Sequence, residues 1–101
     1  MKAGIYIEKD NILLKADHTT IDKMKGCDFL CALDRDEIQN INHVVIDFAN
    51  LKYVSPEEYL LLRQVINSFR LMGLEVKFKN ITALLSLSLV NCEGSGFFRQ
   101  N

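Results

Sequence analysis

Ile5 and Ile7 alternate with Gly4, Tyr6 and Glu8, the turn-forming Lys9-Asp10-Asn11 follows, and residues 12–15 return. This pattern predicts a short β-hairpin. Thr19, with Asp22 three residues on, predicts the capped start of a helix that buries Ile21 and Met24. Gly26 interrupts that helix. Cys27-Asp28-Phe29-Leu30-Cys31-Ala32-Leu33 fits either a continuing helix or a short extended piece, and Asp34 suits the cap of a last turn through Asp36, Glu37 and Ile38. We read this stretch as helix.

The middle of the chain is more sharply patterned. Val44-Val45-Ile46-Asp47-Phe48 is β-branched with no polar alternation until its end, which predicts a central strand covered on both faces. Ser55-Pro56-Glu57-Glu58 is a helix start: Ser55 at N-cap, Pro56 at N1 with no amide hydrogen to lose, Glu58 at N3 able to bond back to the cap. Gly73 predicts the stop, in the left-handed conformation. At 100° steps Tyr59, Leu61, Leu62, Val65, Ile66, Phe69 and Met72 share an arc of about 160°, and Arg63, Gln64, Asn67, Ser68 and Arg70 lie opposite. Val76 and Phe78 then alternate with Glu75, Lys77 and Lys79, a strand with one wet face. Two strands joined through one helix cross over right-handed and run parallel. Residues 81–90 alternate like a strand at Leu85-Ser86-Leu87-Ser88-Leu89, but Asn80 as a cap and the Leu84/Leu87 spacing predict a helix, the reading taken. Gly94-Ser95-Gly96 precedes no helix whose amides could bind phosphate and reads as a flexible lead into Phe97-Phe98. The whole is an α/β chain: a single domain over residues 1–101, with a small mixed sheet and helices packed mainly on one face.

Composition narrows the classes. At 101 residues, 49% hydrophobic and 25% charged, the chain is an ordinary globular domain and not a disordered tail. Twelve Lys and Arg against thirteen Asp and Glu, a net charge of −1, argue against bulk attraction to nucleic acid or an anionic membrane. No apolar run approaches the roughly 20 residues of a membrane span, and no signal-peptide region follows Met1, so the expected location is cytoplasmic. Cys27, Cys31 and Cys92 form no CxxC pair and predict buried thiols without a disulfide framework. On a helix Cys27 and Cys31 would share a face, but His18 and His43 are not at zinc-motif spacing, so neither a metal nor a cofactor is expected.

The candidate catalytic groups have structural explanations. Asp47 ends a strand without a supporting His and is expected to orient the following loop. His18 and His43 read as solvated or hydrogen-bonded loop residues, and Ser86 and Ser88 have no acid–base partner. Walker, GxSxG and HExxH motifs are absent. Arg63, Arg70, Lys77 and Lys79 lack the interleaved aromatics of a single-strand binder and read as a solvated face. Leu60 and Leu71 fall on the polar side of the central helix, roughly 16 Å apart along one stripe. Two readings stand: Leu60, with Pro56, Arg63 and Gln64, forms a partner or self-association surface, or Phe97-Phe98 folds over one of the two leucines.

Val44-Val45-Ile46-Asp47-Phe48-Ala49-Asn50-Leu51, then Tyr53-Val54, then a capped helix closed by Gly73 and followed by a strand, resembles the STAS domain of sulfate transporters and anti-sigma factor antagonists. The resemblance spans residues 5–98 and is strongest over 44–78; Asp17-His18-Thr19-Thr20 sits at the family's turn into its first helix. In the antagonists a partner kinase phosphorylates a Ser in the loop before the central helix. Here that position falls on Pro56 and the preceding one on Ser55, so the resemblance implies a degenerate loop in which phosphorylation is not expected. It further implies a non-catalytic regulatory module, not an enzyme, meeting a protein partner through Ser55, Pro56, Glu57, Leu60, Arg63 and Gln64. An anti-sigma-type kinase, a transporter ATPase or a larger signalling complex would fit, and a homodimer is compatible. The alternative is a small nucleotide-binding protein or enzyme using the loops near Asp17 and Ser55; a self-associating structural protein is a third reading.

Overall fold

The structure is a computed structural model that describes residues 4–8, 10–25 and 39–93. Its elements are β1 (Ile5–Ile7), β2 (Asn11–Lys15), α1 (His18–Lys23), β3 (His43–Asp47), α2 (Pro56–Leu71), β4 (Glu75–Lys79) and α3 (Ala83–Glu93). The strands form one sheet in the order β1-β2-β3-β4. The hairpin pair β1/β2 is antiparallel, and β2/β3 and β3/β4 are parallel. The readings on residues 26–38 and 94–101, including Cys27, Cys31, Asp34 and Phe97-Phe98, lie outside the described residues.

Register aligns the apolar positions on one face of the sheet. Ile5, Leu14, Ile46 and Phe78 form one row across the four strands, and Ile7, Ile12, Val44 and Val76 the next. Ile12, Leu14, Val44 and Ile46 are wholly buried in one core with Ile21 of α1, Leu62, Ile66 and Phe69 of α2, and Leu85 of α3. The described helices therefore pack on this face. The expectation that β3 is covered on both sides is corrected: its burial alternates, with Val45 and Asp47 only half-buried on the second face. β-Branched residues suit a pleated surface whether or not it is covered, so a run of them does not report two buried faces.

Local chemistry sets the ends of the elements. Gly4 sits at φ +75, and a Cβ there would collide with the Thr20 hydroxyl. Helix α1 is capped by Asp17 and not, as expected, by Thr19: Asp17 Oδ1 accepts from Thr20 N at 2.7 Å. Ile21 and Met24 are buried as predicted. Helix α2 carries the full capping box, Glu58 N donating to Ser55 Oγ at 3.1 Å and Ser55 N to Glu58 Oε1 at 3.0 Å. Gly73, at φ +85, closes the helix. Its N–H donates to Arg70 O and that of Leu74 to Phe69 O, the paired bonds of a Schellman stop. Tyr59, Leu62, Val65, Ile66 and Phe69 are buried and Leu61 half-buried. Met72 departs from the predicted arc: it is the C-cap, at the open end of the helix, and is 46% exposed.

Residues 83–93 are helical, but neither the predicted cap nor the predicted face holds. Leu85 N donates to Thr82 Oγ1 at 3.1 Å, so Thr82 is the cap. Asn80 instead adopts φ +61 and turns its side chain to Asp47. Leu85 and Leu89 are buried, whereas Leu84 and Leu87 are exposed. Four-residue spacing, not the Leu84/Leu87 spacing, selects the inner face.

Candidate functional site

The capping box of α2 opens onto a cleft of about 490 Å³ shared with α1. Its floor includes Ile21 and Leu61, and its walls carry His18, Asp22, Lys25, Ser55, Glu57 and Glu58. Both helices are brought here because the strands before them, β2 and β3, are parallel neighbours ending at the same edge of the sheet. Such an edge, at the carboxyl ends of parallel strands, is where open α/β sheets place their sites.

Glu58 is the joint between the helices. One carboxylate oxygen takes the Ser55 amide, and the other lies 2.6 Å from Nδ1 of His18, forty residues away. The His18 ring also packs against exposed Tyr53, centroid to centroid 4.8 Å. Burial works against ionisation of Glu58, but the hydrogen bonds from His18 and Ser55 outweigh it and hold the carboxyl below its ordinary range. On the facing wall Lys25 Nζ lies 2.9 Å from Asp22 and 3.5 Å from Glu57. Hydrogen bonding and charge from Asp22, then Glu57, raise the Lys25 pKa. Among the described residues three carboxylates line the cleft, and its lysine is engaged by two of them, an arrangement that disfavours phosphate groups.

The six residues singled out on α2 separate into two groups. Ser55 and Glu57 line the cleft, whereas Leu60, Arg63 and Gln64 do not. Pro56, Arg63 and Gln64 each lie three or four residues from Leu60 on the exposed side of the helix, with Leu60 54% exposed. Ser55 is half-buried, its hydroxyl committed to the cap, and Pro56 offers no hydroxyl.

Asp47, His43, Ser88 and Cys92 have structural partners. Asp47 Oδ1 accepts from Ala49 N at 2.9 Å and Asn80 Nδ2 at 2.8 Å, orienting its loop as expected. Burial disfavours its charge, but these bonds, with Lys79 and Lys15 nearby, hold its pKa below the ordinary value. The two histidines sit in elements and not in loops: His18, hydrogen-bonded as one of the expected readings had it, opens α1 against Glu58, and His43 lies on β3 with Nε2 3.3 Å from Glu75, its register partner on β4. Ser88 Oγ accepts from Val54 N at 2.9 Å and donates to Val54 O at 3.1 Å, pinning α3 to the loop before α2. The Sγ of half-buried Cys92 lies 3.7 Å from the same carbonyl. Among the described residues no three His, Cys, Asp or Glu side chains are grouped to hold a metal, and no helix is long and apolar enough to cross a membrane. The His18–Glu58 and Ser88–Val54 contacts had no local signal in the sequence; only the Glu58 half of the first was legible, through its capping box.

No family model and no curated protein matches the chain. Among solved structures, a variant of RsbS from Moorella thermoacetica superposes with a TM-score of 0.68 at 18% sequence identity, covering 89% of this chain and 78% of that one. RsbS is an anti-sigma factor antagonist with a STAS domain. The topology expected from the segment 44–78 is thus found in a solved member of that fold, and the fold of this chain is STAS-like.

Proposed function

We propose that this chain is a non-catalytic STAS-like regulatory module, cytoplasmic, that binds a protein partner at the start of α2 and is not switched by serine phosphorylation there. The observation that carries the reading is the pairing of an occupied Ser55 cap with an exposed Leu60 at the centre of the Pro56-Arg63-Gln64 stripe. The hydroxyl that phosphorylation would need is holding the helix start, while the apolar contact that a partner would need stands beside it. The partner classes that fit are an anti-sigma-type kinase, a transporter ATPase or a larger signalling complex.

Affinity capture from native cytosol tests this when wild type, Leu60→Glu and Ser55→Ala are compared. One partner should be retained by wild type and Ser55→Ala and lost by Leu60→Glu, with the melting temperature of Leu60→Glu unchanged. Intact mass from native cells should show no phosphate on Ser55. The rival reading, a nucleotide-binding protein or enzyme, draws support from the size of the cleft, which lies within the roughly 300–1,000 Å³ common for small-molecule sites. Its carboxylates oppose that reading, and a thermal-shift screen with nucleotides is expected to show no stabilisation.

A further inference from the structure

Helix α3 presents a face that neither the core nor solvent explains. At 100° steps Ala83, Leu84, Ser86, Leu87, Val90 and Asn91 share its outer half, opposite buried Leu85 and Leu89. Leu84, Leu87 and Val90 are 65%, 62% and 54% exposed. A surface helix ordinarily fills that half with charged residues, yet residues 81–92 contain none. The first turn has no acid and the last turn no base, so the side chains leave both ends of the helix dipole uncompensated.

We propose that α3 pairs with α3 of a second copy of this chain, as an antiparallel, two-fold symmetric contact centred on Leu87. A two-fold axis crossing the helix sets the amino end of each copy beside the carboxyl end of the other. Each dipole end then meets its opposite, which the side chains of α3 do not provide. A copy of the same face also brings no charge to desolvate against Leu84, Leu87 and Val90. The three apolar side chains expose a few hundred Å² per copy, so the helices alone bury well under the roughly 1,200 Å² of a stable interface. The dimer is therefore weak and concentration-dependent. It is independent of the Leu60 surface and does not rest on the function proposed above.

Sedimentation equilibrium across about 10 µM to 1 mM, the range of weak association, should show a monomer at the lower end and an average mass rising by roughly half or more at the upper. Leu87→Glu should remain monomeric throughout with its circular dichroism and melting temperature unchanged, and Leu60→Glu should associate like wild type. The axis at Leu87 places position 84 of one copy opposite position 90 of the other. Leu84→Lys and Val90→Glu should thus each be monomeric alone and associate when mixed. A monomer at every concentration would overturn the proposal, as would association that survives Leu87→Glu or is abolished by Leu60→Glu. A fall in melting temperature for Leu87→Glu would show that the chain's own residues cover this face, and failure of the mixed pair would refute the antiparallel register.

Discussion

Ser55 and Glu58 exchange two hydrogen bonds at the start of α2, and His18 adds a third from another helix. Removing the cap hydroxyl with Ser55→Ala should cost about 1 kcal/mol, whereas Ser55→Asp should be nearly neutral because Asp also caps; chemical denaturation of the variants checks both. The folded carboxyl of Glu58 titrates below its unfolded value, so its ionisation contributes stability that is present above the unfolded pKa and lost as pH falls through the folded one. Glu58→Gln keeps an oxygen for the Ser55 amide but removes the charge. Its deficit against wild type should be full near neutral pH and shrink as the pH falls below the unfolded Glu value of about 4.3 and on through the lower folded one. A deficit unchanged by acid would show that the charge contributes nothing.

Helix α2 is the element most legible in advance, because its start, stop and buried face are all local properties of the chain. The starts of α1 and α3 were misplaced by two residues in opposite directions, for a non-local reason. The Ala16 amide pairs with Asp47 O beyond the end of β2, so Asp17 is the next residue free to turn and cap α1. Asp47 likewise holds the side chain of Asn80 where β4 ends, with Asn80 in a left-handed conformation, and the next competent cap is Thr82. Thr82→Ala should therefore destabilise the protein by about 1 kcal/mol. The effect should appear in thermal melting and as faster amide exchange in the first turn of α3. Asp17, Thr19, Asn80 and Thr82 are all residue types that cap, and pairing in the sheet chose among them.

Asp47 ties three parts of the molecule together. Its backbone carbonyl extends the β2/β3 pairing, and its carboxylate fixes both the loop after β3 and the turn into α3. Asp47→Ala should cost about 1–2 kcal/mol, the range for losing hydrogen bonds to a half-buried charged acceptor. Its pKa is lowered in the folded chain, so this contribution too is present above the unfolded Asp pKa and disappears as pH falls through the folded one. Acid titration should accordingly show wild type and Asp47→Ala converging in stability at low pH. Parallel curves would mean that the neutral carboxyl holds the loops equally well.

The sequence by itself determined the class of the fold, the hairpin, the parallel strand–helix–strand unit and the capped, one-faced α2, since periods of 2 and 3.6, a capping box and a stop glycine act within a few residues. It also marked Ser55 as a cap and Leu60 as exposed. Tertiary structure alone decided that β3 has one deeply buried face, that His18 meets Glu58, that Ser88 anchors Val54, and that Leu85 and Leu89 are the inner positions of α3. Those outcomes depend on which surfaces lie opposite one another once the sheet has formed. In a helix as apolar as α3, whose charge is confined to Glu93 at its end, periodicity cannot distinguish the side facing the core from the side left exposed.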